Sequence, residues 1–318
     1  MTTPHLYTTK KLQEAVFISV FVMFFGSLNF AQNKSADITP SSNLKKLKGF
    51  TQEYYYSVGH KESALNLAQF MEDAGSFYKA ELGFTPEIKM FILAPGDWKT
   101  YAAPPLHGVY GFPHNIDRVR LAVAAEDNDF WRSFLKNPDE LPNGLKERVT
   151  AAYGTAGGKY SMRPFFDLLA VHEMGHSYTS QAGLKTQRHW MEELLVNIML
   201  HTYVAEKQKN LLPALETFPD MVVNAGSTTY KHTTLADFET LYPTMGMGPE
   251  NYGWYQSMLH SQAKKIYDAG GKIVMKKLWK MLKDNQKEMT DEEFAAMLLK
   301  DVHPSVANVY LKWNLPNW

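Results

Sequence analysis

The sequence contains no cysteine among its 318 residues. Disulfide bonds are therefore excluded, and so is an N-terminal cysteine that could carry a lipid. The chain has to be held together by its apolar core and by any metal that it binds. Hydrophobic residues make up 45% of the sequence, which is enough for one large domain or two closely packed subdomains.

An excess of charge of either sign is also missing, because 33 basic residues balance 33 acidic ones. No dense run of lysine and arginine occurs in the body of the chain. A surface that follows nucleic-acid phosphates needs such an excess, so we expect no nucleic-acid partner. The sequence also has no internal repeat and no low-complexity tract.

The first 31 residues resemble a secretory signal peptide. Lys10 and Lys11 precede an apolar stretch over residues 15–25, and the sequence turns polar after Ala31. The alternative is an uncleaved anchor, but the apolar stretch is shorter than the roughly 20 residues that a membrane span needs. We predict cleavage after Ala31, export to the periplasm or the cell exterior, and no stable membrane association afterwards.

The hydrophobic pattern divides the rest of the chain into two parts. After a polar spacer over residues 32–44, the N-terminal subdomain (45–126) mixes strand and helix signals. Residues 127–318 show helical periodicity instead. The predicted fold class is α+β, with a small sheet and a mainly helical C-terminal subdomain. The strands are predicted over 49–56, 87–93 and 118–123, and the main helices over 61–82, 164–180, 188–207 and 252–269.

His172, Glu173 and His176 form the pattern H-E-x-x-H within one predicted helix. Histidines four residues apart lie on one helix face, where both can bind a single zinc ion while the glutamate faces the zinc-bound water. The preceding residues 165–171 are largely apolar, so polar side chains buried there need partners. The alternative is a pair of hydrogen-bonded core histidines. The pattern predicts a metal-dependent hydrolase with Glu173 as general base.

A catalytic zinc usually has three protein ligands and one open position. The pattern H-E-x-x-H-x-x-G-x-x-H fails here, because Thr179 and Ala182 stand at its glycine and its last histidine. The next helix offers Glu192 and Glu193, the latter 17 residues beyond His176. Neighbouring positions on a helix point about 100° apart, so only one of the two glutamates can face the metal.

H-E-x-x-H followed by a W-x-x-E helix at Trp190 resembles the gluzincin metallopeptidases of the peptidase MA-like group. The resemblance implies a zincin-like fold, one Zn²⁺ held by His172, His176 and Glu193, and hydrolysis of a peptide or protein substrate. Leu194 stands where the family pattern has glycine. The aminopeptidase motif G-x-M-E-N is absent, which favours an endopeptidase. The alternatives are a secreted zinc-stabilised binding protein without catalysis, and a zinc hydrolase of a non-peptide substrate.

Three further expectations concern the surroundings of the metal. The resemblance implies a tyrosine that stabilises the transition state, for which Tyr255 is favoured over Tyr252. Asn197 lies four residues after Glu193, so it either orients a ligand histidine or is a surface amide. Residues 108–114, together with 118–123, either form an exposed strand edge that receives the substrate or are an ordinary turn-rich connection.

Overall fold

A computed structural model of the chain describes residues 44–135, 140–244 and 246–315, and it shows a mainly helical protein with one small sheet. The predicted α+β class is confirmed at this level. The strands are β1 (Leu44–Lys46), β2 (Glu53–Ser57), β3 (Lys89–Leu93), β4 (His114–Asn115) and β5 (Arg120–Ala124). The α-helices are α1 (Lys61–Leu82), α2 (Pro95–Tyr101), α3 (Asp129–Arg132), α4 (Asn143–Tyr153), α5 (Arg163–Gln181), α6 (His189–Lys207), α7 (Leu212–Asn224), α8 (Leu235–Leu241), α9 (Gly248–Gly270), α10 (Lys272–Asp284), α11 (Asp291–Met297) and α12 (Pro304–Lys312).

The sheet has the strand order β1, β2, β3, β5, β4. Strands β2, β3 and β5 are parallel, whereas β1 and β4 pair antiparallel at the two edges. A parallel pair needs a crossover connection, and α1 supplies it between β2 and β3. The edge strand β4 contacts α5, the helix that contains the H-E-x-x-H pattern.

The central strand β3 places alternate side chains on the two faces of the sheet. Met90 and Ile92 enter the main apolar core, while Phe91 and Leu93 pack on the other face in a smaller cluster with Trp98 of α2. The main core also contains buried side chains from α5, α6, α9 and α10. The N-terminal and C-terminal parts of the chain therefore share one core.

Helix α1 has the predicted bounds, because its apolar side chains recur every three or four residues and face the core. It ends at Gly83, which adopts a left-handed φ of 67° while its amide donates to the carbonyl of Lys79. Helices α5 and α6 begin and end within one residue of the prediction. Helix α9 begins four residues earlier than expected, at Gly248, with Pro249 in its first turn.

The strand bounds differ more from the prediction. Each of β2, β3 and β5 begins two to four residues later than expected. Residues 108–113 form the turn-rich connection, and only His114 and Asn115 pair with β5 as a strand. Gly111 has a left-handed φ of 105°, and its carbonyl accepts from the indole of Trp131. Side-chain contacts rather than a strand ladder therefore fix this loop.

The predicted signal peptide, and the spacer as far as residue 43, lie outside the described residues. Within the described part of the chain, none of the helices combines the length and the apolar composition that crossing a membrane requires.

Candidate metal centre

Helices α5 and α6 approach each other closely at Gly175, in the turn between the two motif histidines. A Cβ atom added to Gly175 would lie only 2.9 Å from Cβ and from Cγ1 of Val196. Glycine therefore allows the two helices to lie closer together than a larger residue would. The candidate ligands lie near this contact, two on α5 and one on α6.

The imidazoles of His172 and His176 meet the carboxylate of Glu193 in one compact group. The two Nε2 atoms are 3.3 Å apart, Nε2 of His172 lies 3.3 Å from Oε2 of Glu193, and Nε2 of His176 lies 3.6 Å from Oε1. Ligands bound 2.0–2.1 Å from a tetrahedral zinc ion are about 3.3–3.4 Å from one another. Both the donor types and their spacing therefore fit zinc.

The structure distinguishes the two adjacent glutamates. Glu193 is 1% exposed and lies near both Nε2 atoms. The side chain of Glu192 is 35% exposed, and its Oε1 lies 3.5 Å from Nδ1 of His176, on the other side of the ring. Among the described residues, the group of metal-binding side chains that are close enough to share an ion contains Glu193 and not Glu192.

Asn197 is completely buried, so it is not a surface amide. Its Oδ1 lies 2.9 Å from Nδ1 of His172. Because this oxygen can only accept, Nδ1 carries the hydrogen, and the lone pair of Nε2 points towards the ligand group. Asn197 is thus placed to fix the orientation and tautomer of a candidate ligand histidine.

A carboxylate from α8 holds the N-terminus of α6, the helix that positions Glu193. The oxygens of Glu239 accept hydrogen bonds from the backbone amides of His189 and Trp190 at 3.1 and 2.9 Å. Arg188, the residue before the helix, provides no side-chain cap. The N-terminus of a helix carries a partial positive charge, which attracts the carboxylate. Glu239 therefore stabilises the first turn of α6.

Glu173 lies beside the ligand group and is held by the edge strand. Nδ2 of Asn115 donates to Oε2 of Glu173 at 3.0 Å and to its backbone carbonyl at 2.9 Å. Oδ1 of Asn115 accepts from Ser177 at 3.3 Å. Burial raises the pKa of Glu173 above its ordinary value. A fixed carboxylate with a raised pKa suits a proton acceptor that works near neutral pH.

The structure does not bring Tyr255 to the ligand group. Its ring is buried, and its hydroxyl donates to the carbonyl of Thr234 at 2.7 Å. Tyr252 lies three residues earlier on α9, on a different part of the helix surface, and its hydroxyl accepts from Gln256 Nε2 at 3.0 Å. The same nitrogen donates to Oε2 of Glu193 at 2.7 Å. Tyr252 is therefore the one of these two tyrosines that lies beside the group.

A further tyrosine contacts the third candidate ligand directly. The hydroxyl of Tyr242, which follows α8, donates to Oε1 of Glu193 at 2.5 Å. Burial and the charge of Glu193 raise the pKa of Tyr242 well above its ordinary value, so the phenol keeps its proton. Tyr242 and Gln256 together supply one hydrogen-bond donor to each oxygen of Glu193.

The charges of His176 and Glu193 stabilise each other. Burial alone would lower the pKa of His176, but the charge of Glu193 and contacts with both glutamates hold it well above its ordinary value. Burial alone would raise the pKa of Glu193, but the two histidines hold it well below. The metal-free group therefore has a protonated His176 beside an ionised Glu193. Zinc binding to this group would release a proton.

Asn115, Tyr242 and Gln256 were not identified from the sequence. They come from three different elements, and none belongs to a recognisable pattern around the H-E-x-x-H motif. The spacing of Tyr252 and Gln256, four residues apart on α9, gives one usable signal, because such residues lie on one helix face.

Comparisons of the chain with protein-family models, with curated proteins and with solved structures found no match.

Proposed function

We propose that this protein is an exported zinc metallopeptidase with a zincin-like fold. The observation that carries the proposal is the spacing of His172, His176 and Glu193, whose donor atoms lie 3.3–3.6 Å apart, close to the edges of a tetrahedral zinc site. The likeness of the H-E-x-x-H and W-x-x-E patterns to those of gluzincins supports a peptide bond as the substrate. The sequence of residues 1–31 supports export.

Each residue of the centre has a chemical role in this proposal. A bound zinc ion supplies Lewis acidity, which activates water and polarises a carbonyl group. Glu173 accepts the proton of the attacking water and passes it to the leaving amine. Asn115 keeps the carboxylate of Glu173 in place through the hydrogen bond from its Nδ2 to Oε2. Asn197 keeps His172 in the tautomer that binds metal.

We assign stabilisation of the oxyanion to Tyr252 in place of Tyr255. Burial, followed by the charges of Glu193 and Glu173, raises the pKa of Tyr252 well above its ordinary value, so its hydroxyl stays protonated. This hydroxyl accepts from Gln256 and still has a hydrogen to donate. A donor held beside the ligand group is what a developing oxyanion requires.

The decisive experiment combines zinc content with hydrolysis of a degenerate peptide library. We expect about one zinc ion per chain, loss of hydrolysis with a chelator and recovery when zinc is restored. Glu173→Gln should lower kcat by about 10²- to 10⁴-fold, because an amide cannot accept the proton, while zinc content stays unchanged. Glu206→Gln is the matched control, since Glu206 lies on α6 roughly 20 Å along the helix from Glu193.

Two results would overturn the proposal. The first is a protein that purifies without zinc and cannot be reconstituted with it. The second is hydrolysis that survives Glu173→Gln. A zinc-loaded protein that cleaves no peptide of the library would favour a non-catalytic binding protein or a different substrate.

A further inference from the structure

Gln256 lies where α9 packs against α6, and one amide group there contacts three polar side chains of the centre. Its Nε2 donates to Oε2 of Glu193 at 2.7 Å and to the hydroxyl of Tyr252 at 3.0 Å. Its Oε1 accepts from Nδ2 of Asn197 at 3.4 Å. Both hydrogens and the oxygen of the amide are therefore used.

The two helices present matched pairs of residues at this point. Glu193 and Asn197 are one turn apart on α6, and Tyr252 and Gln256 are one turn apart on α9. Asn197 continues the network to Nδ1 of His172. Gln256 thus connects two of the three candidate ligands, one directly and one through a second amide.

The surroundings of Glu193 show why this donor matters. The carboxylate is 1% exposed, so its oxygens depend on protein donors for their hydrogen bonds. Tyr242 donates to Oε1 and Gln256 donates to Oε2. Without the Gln256 donor, the carboxylate would keep only the Tyr242 hydrogen bond on Oε1, and its rotation about the last side-chain bond would be less restricted. A misoriented carboxylate binds a metal less well.

We propose that Gln256 is a positioning residue that sets zinc affinity through Glu193 and, through the same amide group, holds the hydroxyl of Tyr252 beside the centre. The part that concerns Glu193 requires only that the group binds zinc. The part that concerns Tyr252 rests on the proposed function, because it needs a reaction to measure.

The first test measures zinc affinity by competition with a chromophoric chelator, together with thermal unfolding of the metal-free protein. Gln256→Glu keeps the size of the side chain but removes both Nε2 donors, and Gln256→Met removes all hydrogen bonds. We expect zinc binding about 10- to 100-fold weaker in both variants. Gln262→Met, which changes a buried glutamine elsewhere on α9, is the matched control and should keep the parental affinity.

Parental zinc affinity in both folded Gln256 variants would refute the role of Gln256 towards Glu193. An equal loss in Gln262→Met would do the same, because it would show a general effect of removing an amide from α9. If Gln256→Glu does not fold, Gln256→Met decides, since it adds no charge beside Glu193.

The second test is a double-mutant cycle between Gln256→Met and Tyr252→Phe, measured as kcat of zinc-saturated protein. If Gln256 places the Tyr252 hydroxyl, Gln256→Met should lower kcat much less when Tyr252 has already been replaced. The double variant should then be hardly slower than Tyr252→Phe alone. Multiplicative effects would refute this part. If zinc affinity depends on Gln256 but the protein hydrolyses no peptide, the proposed function fails while the positioning role towards Glu193 stands.

Discussion

Replacing Gly175 with alanine tests whether the close approach of α5 and α6 sets the spacing of the candidate metal ligands. The new Cβ would lie 2.9 Å from two side-chain carbons of Val196 and 3.5 Å from its Cα. Non-bonded carbons prefer a separation of about 3.5–4.0 Å, so the helices would have to move apart locally by roughly 0.6–1 Å. This displacement separates the helix with His172 and His176 from the helix with Glu193.

The magnitudes predict that zinc binding suffers more than folding. Overpacking of this kind costs about 1–3 kcal/mol, whereas replacing a helical glycine with alanine returns about 1 kcal/mol. We therefore expect Gly175→Ala to lower the free energy of unfolding by about 1 kcal/mol. The ligand distances of 3.3 and 3.6 Å between the helices would grow beyond those of a tetrahedral site, so zinc affinity should fall about tenfold or more.

Chelator competition gives the zinc affinity, and urea unfolding of the metal-free protein gives the stability. Gly253→Ala is the matched control, because it makes the same change inside α9 where an added Cβ meets no atom within 4 Å. It should leave zinc affinity unchanged and raise stability by up to about 1 kcal/mol. Combining Gly175→Ala with Val196→Gly removes the clashing carbons and should restore part of the affinity. Unchanged zinc affinity in stable Gly175→Ala would refute the reasoning.

Two further predictions concern the edge strand β4. Asn115→Asp keeps the shape of the side chain but loses the donor to Glu173. We expect kcat to fall about 10- to 100-fold, while chelator competition shows parental zinc affinity. An unchanged kcat would contradict the role of Asn115. Burial lowers the pKa of His114 to about 4, and its Nε2 accepts from the amide of Ala103. Position 114 therefore binds protons more readily in the unfolded chain than in the folded protein. The stability that neutral His114 contributes is complete above about pH 6.5 and is lost as the pH falls towards 4. Urea unfolding should show that the free energy of unfolding falls by about 3 kcal/mol over this pH range through His114, and that His114→Gln reduces the fall. An identical pH dependence in the variant would show that His114 is not its source.

Local patterns in the sequence predicted the helices that carry the candidate ligands. The bounds of α1 followed from three- and four-residue spacing and from Gly83, and those of α5 and α6 were equally close. His172, Glu173 and His176 lie within one and a half turns of a single helix, so their mutual arrangement follows from helix geometry alone. Glu193 came from the family resemblance, and its placement in the group depends on the packing of α5 against α6.

The other side chains of the centre could not be predicted, because their contacts join distant parts of the chain. Asn115 lies 58 residues before Glu173, and Gln256 lies 63 residues after Glu193. Such contacts depend on how strands and helices pack, which periodicity does not specify. The choice between Tyr252 and Tyr255 on α9 failed for a related reason. Counting residues from the end of this helix does not specify which side of the helix faces the candidate ligands. Short strands such as β1, with three residues, also have too few positions to show alternation.

The side chain behind His172 is an amide, Asn197, and this choice affects the net charge of the centre. The two positive charges of a bound zinc ion would be balanced by the carboxylates of Glu193 and Glu173, so the loaded centre would be formally neutral. A carboxylate at position 197 would leave an uncompensated negative charge in a buried place. Without the ion, the charge on His176 offsets that of Glu193. A bound zinc ion would therefore also act as a counter-ion to these carboxylates, in a chain that has no disulfide bond.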